Sequence, residues 1–153
     1  MRLLIVFLLA FLKILPAISA DLTIHNVARQ GSGEDVRRTL AADPSARDLR
    51  TAHGSQAIHL AAMNPDISAL RALIAAGANI NARDSEGATP LHMAAYASRA
   101  THARVLLEAG ADPLATTDNG RDPTSMARKV KADETAGVIS LWILKGCKPG
   151  KPC

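Results

Sequence analysis

A repeat of 33 residues is the feature that most constrains how this 153-residue chain can fold. Gly54, Gly87 and Gly120 each lie 33 residues apart, and the same interval separates His59 from His92. A fixed period of this length indicates a solenoid, in which each unit buries its apolar face against its neighbours. Scaffolds of this kind usually bind other molecules through their surface and rarely carry out chemistry.

The third unit shows the motif most clearly. It reads Asp84-x-x-Gly87-x-Thr89-Pro90-Leu91-His92-x-Ala94-Ala95 and then Leu106-Leu107-x-x-Gly110-Ala111-Asp112. This pattern resembles an ankyrin repeat. The second unit follows it, with Gln56-Ala57 in place of Thr-Pro and Pro65 in place of the usual inter-helix glycine. The resemblance implies an all-α, ankyrin-repeat solenoid of about four helix-turn-helix units with projecting turns.

The resemblance divides the chain into three parts. An ankyrin-repeat domain is expected over residues 21–144, with units at about 22–50, 51–83, 84–116 and 117–144. Residues 1–20 precede it, and residues 145–153 form a tail of lysine, proline, glycine and cysteine. The two outer units match the pattern less well than the inner ones, as expected of terminal caps.

Helix signals within one unit can be read from the residues themselves. Thr89 is suited to cap the first helix, and Pro90 is suited to its first turn, where a missing amide hydrogen costs nothing. Gly110 is expected to end the second helix in a left-handed conformation. Leu91 and Leu106 are predicted to be buried between the paired helices.

The first 20 residues are typical of a secretory signal peptide. Arg2 precedes an apolar run over residues 3–15, and Pro16 to Ala20 form a helix break and a small-residue cleavage site. The alternative is an uncleaved membrane anchor, which the short run and Lys13 argue against. We therefore expect a mature chain that begins at Asp21, is periplasmic or secreted in a bacterium, and has no membrane contact after cleavage.

Composition and motifs exclude several function classes. The formal charge is +4, but no basic stripe is interleaved with aromatic residues, so nucleic-acid binding is not expected. No Gly-x-Ser-x-Gly, glycine-rich phosphate loop or His-Glu-x-x-His motif occurs, so the chain is not expected to be an enzyme. No two histidines stand four apart on one predicted helix, and neither a metal site nor a cofactor is expected.

Histidines and cysteines have separate expected roles. His59 and His92 should hydrogen-bond to backbone and to the neighbouring turn, as in the ankyrin family, and His25 should copy them. His53 in a turn and His102 on a second helix are both expected to be exposed. Cys147 and Cys153 flank a Pro-Gly turn and could form a disulfide in an exported protein; the alternative is a disordered tail with two unpaired thiols.

The family resemblance also implies a binding surface. In ankyrin proteins the turn tips and the exposed face of the first helices line a concave groove. Carried over by position, the partner-binding residues are Arg50, His53, Ser55, Met63, Arg83, Glu86, Tyr96, Asp118, Asn119 and Arg121, with Ala52, Asn64, Ser85, Ala88 and Ala97 beside them. Tyr96 and Arg83 are the predicted hot spots. The alternative is that Tyr96 only covers a helix junction and that the arginines are solvated.

These observations together predict an exported, monomeric scaffold that binds a protein partner in the bacterial periplasm and supports envelope stress defence. Two other roles remain open. One is an immunity protein that sequesters a toxin acting in the periplasm, and the other is a secreted effector. An enzyme is the least expected role, because no catalytic site is visible in the sequence.

Overall fold

Eight α-helices and one 3₁₀ turn form the part of the chain that the structure, a computed structural model, describes: residues 23–151 and residue 153. The helices are α1 (Ile24–Gln30), α2 (Gly33–Ala42), α3 (Ala57–Ala61), α4 (Ile67–Ala75), α5 (Pro90–Tyr96), α6 (Ala100–Glu108), α7 (Pro123–Lys129) and α8 (Asp133–Leu144), and the 3₁₀ turn is Pro44–Asp48. The predicted signal peptide and its cleavage site lie outside the described residues.

The helices pair into four units that stack in chain order. The first helices α1, α3, α5 and α7 contact one another in sequence and form one layer, and α2, α4, α6 and α8 form the second layer in the same way. No strand occurs in residues 23–151, and the all-α solenoid predicted from the repeat is confirmed. Within those residues, no helix is both long and apolar enough to cross a membrane.

Small and branched apolar residues fill the space between the layers. Leu91 and Leu106 are both fully buried, as predicted, and they lie at the centre of the stack. Ala61 and Ala94 are also fully buried on the first helices. Because these side chains are a single methyl group, the helices of adjacent units approach closely without leaving voids.

Helix ends follow the predicted capping signals. Thr89 is the N-cap of α5, and Pro90 is its first residue. Gly77 and Gly110, which follow α4 and α6, have φ values of 76° and 107°. After α6, the amide of Ala111 donates to the carbonyl of Leu106 at 2.8 Å. This glycine-dependent reversal ends α4 and α6 and sends the chain back into the next projecting turn.

The turn between paired helices differs in the second unit. Ser98 and Lys131 occupy the same place in the third and fourth units, with left-handed φ values of 57° and 60°. Pro65 stands at that register in the second unit, and its ring holds φ near −65°. A different arrangement is therefore needed to reverse the chain there.

Asn64 provides that arrangement. Its side-chain oxygen accepts from the amide of Asp66 at 2.8 Å, and its Nδ2 donates to the carbonyls of Ala28 (3.0 Å) and Gly31 (2.8 Å) in the first unit. Asn64 is only 2% exposed. The expectation that Asn64 belongs to the binding surface is wrong, because its amide ties two units together inside the fold.

His102 also differs from its predicted position. It lies on α6 and is 4% exposed, so the expectation that it is exposed is wrong. Ala69 and Thr135 occupy the same register in the neighbouring second helices and are likewise buried. Burial lowers the pKa of the His102 ring, and the charge of Arg99 lowers it further.

The fourth unit has a polar outer face. Inner-unit positions that the next unit covers are occupied by His92, Ala95 and Leu107, all buried. One period later the chain has Ser125, Arg128 and Ser140. Ser125 and Arg128 are exposed. Polar replacement of inter-unit contacts is typical of a terminal cap, as expected for the outer units.

Candidate functional site

A concave groove runs along the exposed face of the first helices, between those helices and the projecting turns. It has a volume of about 340 Å³. Its lining residues come from α5 and α7, from the turns before them, and from the residues just after α3 and α7: Met63, Glu86, Ala88, Met93, Tyr96, Thr117, Asn119, Arg121, Met126, Lys129 and Val130. The stack thus brings together residues from three units, as the family resemblance implied.

Methionine and tyrosine dominate the floor of the groove. Met63, Met93 and Met126 are all the methionines of the chain apart from Met1, and all three line it. Tyr96 lies among them and is 56% exposed. Flexible thioethers beside an exposed ring form a surface that can adapt to an apolar side chain of a partner.

The rim of the groove carries the charges. Arg121 and Lys129 contribute two positive charges, and Glu86 contributes one negative charge. Thr117 and Asn119 supply hydroxyl and amide groups beside them. An apolar floor with a net positive rim favours a partner that presents an apolar side chain next to an acidic group.

Two buried histidines fix the turns that form one wall of the groove. The Nδ1 atoms of His59 and His92 accept hydrogen bonds from the amides of Gln56 and Thr89, each at 3.1 Å. Nε2 of His59 lies 3.2 Å from the carbonyl oxygen of Ala88, one unit further along. Because a carbonyl can only accept, Nε2 carries the proton and donates.

His92 repeats this geometry towards the last turn. Its Nε2 lies 2.9 Å from the carbonyl oxygen of Arg121, a residue of the groove rim. Burial lowers the pKa of both His59 and His92, which keeps the rings neutral and suited to accept at one nitrogen and donate at the other. The predicted structural role of both is confirmed. Nε2 of His25 similarly lies 3.0 Å from the carbonyl oxygen of Leu49.

Arginines connect successive turns on the outer side of that wall. Nη1 of Arg50 donates to the carbonyl of Arg83 at 2.8 Å, and Nη2 of Arg83 donates to the carbonyl of Thr116 at 2.7 Å. Arg83 also pairs with Asp118 at 3.6 Å, in an exposed position. These guanidinium groups are therefore already bonded within the fold, and they hold the turns in register.

Backbone hydrogen bonds complete the connection between turns. The amide of Ser85 donates to the carbonyl of His53 at 3.0 Å, and the amide of Asp118 donates to the carbonyl of Glu86 at 3.0 Å. Gly54 has a φ of 71°, and a Cβ on it would lie 2.9 Å from the amide nitrogen of Ser85. Glycine is thus required there both by conformation and by the close approach of the next turn.

The structure separates the predicted binding residues into two groups. Those that line the groove are Met63, Glu86, Tyr96, Asn119 and Arg121, with Ala88 beside them. Those that lie outside its lining are Arg50, His53, Ser55, Arg83 and Asp118. The groove residues that the sequence prediction missed are Met93, Thr117, Met126, Lys129 and Val130. A shift of one period would have found Lys129 from Tyr96 and Val130 from Ala97.

The tail after α8 is closed by a disulfide. Cys147 and Cys153 are bonded to each other, with Cα atoms 5.2 Å apart. No group of three or more metal-binding side chains occurs among residues 23–151 and 153.

Comparison with known protein families agrees with this geometry. A family model described as ankyrin repeats (three copies) matches residues 24–117. That match covers more than half of the chain and includes α1 to α6 with the turns between them. A comparison with curated proteins gives no match.

Proposed function

Because the chain belongs to the ankyrin-repeat family, we propose that it is a scaffold that binds a protein partner in the groove formed by α3, α5, α7 and the adjacent turns. Ankyrin repeats are in general protein-binding scaffolds and are typically not enzymes. The observation that carries this proposal is the gathering of Met63, Met93 and Met126 around the exposed ring of Tyr96.

The groove would bind a partner by enclosing an apolar side chain. Tyrosine and arginine are favoured hot-spot residues because each gives a large contact area together with a hydrogen-bonding group. Tyr96 and Arg121 provide that combination here, and the methionines adapt to the shape of the inserted group. An acidic group on the partner would be placed opposite Arg121 and Lys129.

The rigidity of the groove wall supports the same function. The carbonyls of Ala88 and Arg121 are fixed by the histidine contacts, and the turns are joined by Arg50 and Arg83. A surface that is ordered before binding loses little conformational entropy when the partner arrives. Arg83 remains a proposed contact residue, but its replacement would also loosen the wall.

The finer role that we propose is that of an exported protein of the bacterial periplasm, or a secreted protein, that supports envelope stress defence. Its support is the leader-like composition of residues 1–20 and a cysteine pair of the kind found in oxidising compartments. An immunity protein that sequesters a periplasm-acting toxin is the alternative, and a secreted effector is a further one. We do not propose an enzymatic activity.

Site-specific crosslinking followed by affinity measurement tests the groove. A photo-crosslinking amino acid at Met93 should capture the partner, and the same group at Arg71 on the opposite layer should not. With the partner in hand, Tyr96→Ala should raise Kd at least about fivefold, or about 1 kcal/mol, as expected for a hot spot. Arg71→Ala serves as the matched control and should leave Kd unchanged.

The identity of the crosslinked partner distinguishes the finer roles. Envelope stress defence predicts a stress-defence enzyme as the partner, whereas the immunity role predicts a toxin. The groove proposal is wrong if Tyr96→Ala and Met126→Ser bind like the wild type while Arg71→Ala or Arg104→Ala abolishes binding. Circular dichroism on each variant shows whether a loss of binding reflects a loss of fold.

A further inference from the structure

The end of the stack formed by α8 carries protruding apolar side chains. Leu144 is 81% exposed, Leu141 is 55% exposed and Ile143 is 38% exposed, all within the last turn of α8. Leu114, 65% exposed, lines a cavity of about 340 Å³ together with Ile143 and Leu144. Only two other large apolar residues of the described chain are comparably exposed, and one of them is Tyr96 in the groove.

Positive charge predominates around these side chains, and Asp122 and Arg128 contribute opposite charges to the lining of the cavity beside Leu114 and Leu144. From residue 135 to residue 153 the chain has three lysines and no aspartate or glutamate. Lys145, Lys148 and Lys151 are all exposed. Arg104 of α6 lines a cavity of about 300 Å³ with Leu141 and Lys145, and Glu108 is the one carboxylate among the described residues that line it.

The loop after α8 holds its lysines beside the helix end. The bond between Cys147 and Cys153 closes the loop. The amide of Cys147 donates to the carbonyl of Trp142 at 3.1 Å, and the amide of Gly150 donates to the carbonyl of Glu108 at 3.3 Å. Because the loop is anchored to α8 and to the end of α6, Lys148 and Lys151 stay near the apolar side chains.

We propose that this C-terminal tip, made of Leu114, Leu141, Ile143, Leu144, Lys145, Lys148 and Lys151, docks on an anionic lipid surface. Protruding aliphatic side chains enter the boundary between head groups and acyl chains, and lysines bind the lipid phosphates while their stems remain in the apolar layer. Contact of this kind is peripheral and differs from the expectation, drawn from the sequence, of no membrane contact after leader removal.

Charge complementarity selects a lipid surface over a second copy of the chain. Each tip, taken with the charged residues that line its two cavities, has the three lysines, Arg104 and Arg128 against two carboxylates, Glu108 and Asp122. Two tips that meet face to face would therefore bring an excess of positive charge together, and like charges repel strongly when they are desolvated. An anionic bilayer provides the opposite charge over a wide area. It also accepts side chains that protrude, whereas a protein partner would need pockets that match each one.

Vesicle co-sedimentation tests the proposal. The full chain is produced with its own leader, its processed form is identified by mass, and all variants are compared in that same form. Wild-type protein should sediment with vesicles of phosphatidylglycerol and phosphatidylethanolamine, and more weakly with phosphatidylcholine alone. Each lysine beside an anionic surface contributes about a fivefold factor, so replacing Lys145, Lys148 and Lys151 by Gln should weaken partitioning about a hundredfold.

Matched variants separate apolar from electrostatic contributions. The double variant Leu141→Ser, Leu144→Ser should weaken partitioning by about tenfold or more, since each leucine contributes through its buried area. Leu49→Ser and Lys131→Gln change the same residue types elsewhere on the surface and should leave partitioning unchanged. Circular dichroism on every variant confirms that the fold is retained.

Three results would overturn the proposal. The first is a wild-type protein that does not sediment with anionic vesicles. The second is an equal loss of partitioning in the tip variants and in Leu49→Ser or Lys131→Gln. The third is a dimer in sedimentation velocity that Leu144→Ser dissociates, because a second copy would then cover the tip. None of these results bears on partner binding in the groove, which is measured with soluble protein.

Discussion

Replacing Leu106 with alanine tests the inter-unit packing directly. The side chain of Leu106 is fully buried. It lies on α6, which contacts both α4 and α8. Removing three buried carbon atoms costs about 2.4 kcal/mol at about 0.8 kcal/mol per methylene. The cavity left behind adds to this, and Leu→Ala changes in cores cost about 2–5 kcal/mol in all. We expect a loss of about 3–4 kcal/mol in the free energy of unfolding, since units on both sides limit collapse into the cavity.

Urea and thermal denaturation followed by circular dichroism measure this loss. At about 3–4 °C per kcal/mol, Tm should fall by about 10–15 °C. Leu144→Ala is the matched control, because Leu144 is 81% exposed, and it should change stability by less than about 0.5 kcal/mol. A loss below about 1 kcal/mol for Leu106→Ala, or an equal loss for both variants, would refute the register that places Leu106 in the core.

Two further predictions concern acid stability and export. Burial lowers the pKa of His59, His92 and His102 from the ordinary 6.5, so the unfolded chain takes up protons that the folded chain does not. The contribution of the neutral histidines to the free energy of unfolding should therefore be fully present above pH 6.5 and should be lost as the pH falls below 6.5 towards the folded-state pKa values. The variant His102→Thr should show a smaller fall of the urea midpoint over this range. A rise in stability on acidification would contradict the argument. The mature chain should begin at Asp21 in intact-mass spectra of the periplasmic fraction, and a membrane-bound chain that retains Met1 would contradict cleavage.

The roles of residues in the two inner units could be predicted because each repeat position occurs once in both units. Leu91 and Leu106 were placed in the core, and His59 and His92 were given structural roles, from the repeat pattern and the family resemblance. The structure confirms all four. A residue type that recurs at the same register has the same neighbours in each unit, so its role follows from the architecture.

The sequence prediction failed where a residue departs from the repeat. His102 follows buried Ala69 by one period, but a charged or polar ring at that position suggested exposure. Asn64 is buried because Pro65, next to it, removes the left-handed turn that Ser98 and Lys131 adopt in later units. Such a compensation depends on contacts between units, which a single unit's sequence does not contain.

The candidate groove was predicted in part for a related reason. Met63 and Tyr96 were identified from the family's variable positions, whereas Met93 and Met126, which lie one turn earlier on their helices than Tyr96 and Lys129, were given no role. Both are partly buried in the structure and still line the groove. A side chain at the edge of a helix face can contact both the core and the groove, and helical periodicity alone does not distinguish these two positions.

The polar outer face of the fourth unit restricts how the array can change in length during evolution. A duplicated unit inserted between residues 83 and 84 would keep the period and meet apolar surfaces on both sides. A unit added after Leu144 would instead stack on Ser125, Arg128 and Ser140, where the inner units have His92, Ala95 and Leu107. Descendants of this gene are therefore expected to gain or lose repeats ahead of the fourth unit, which stays last in the array.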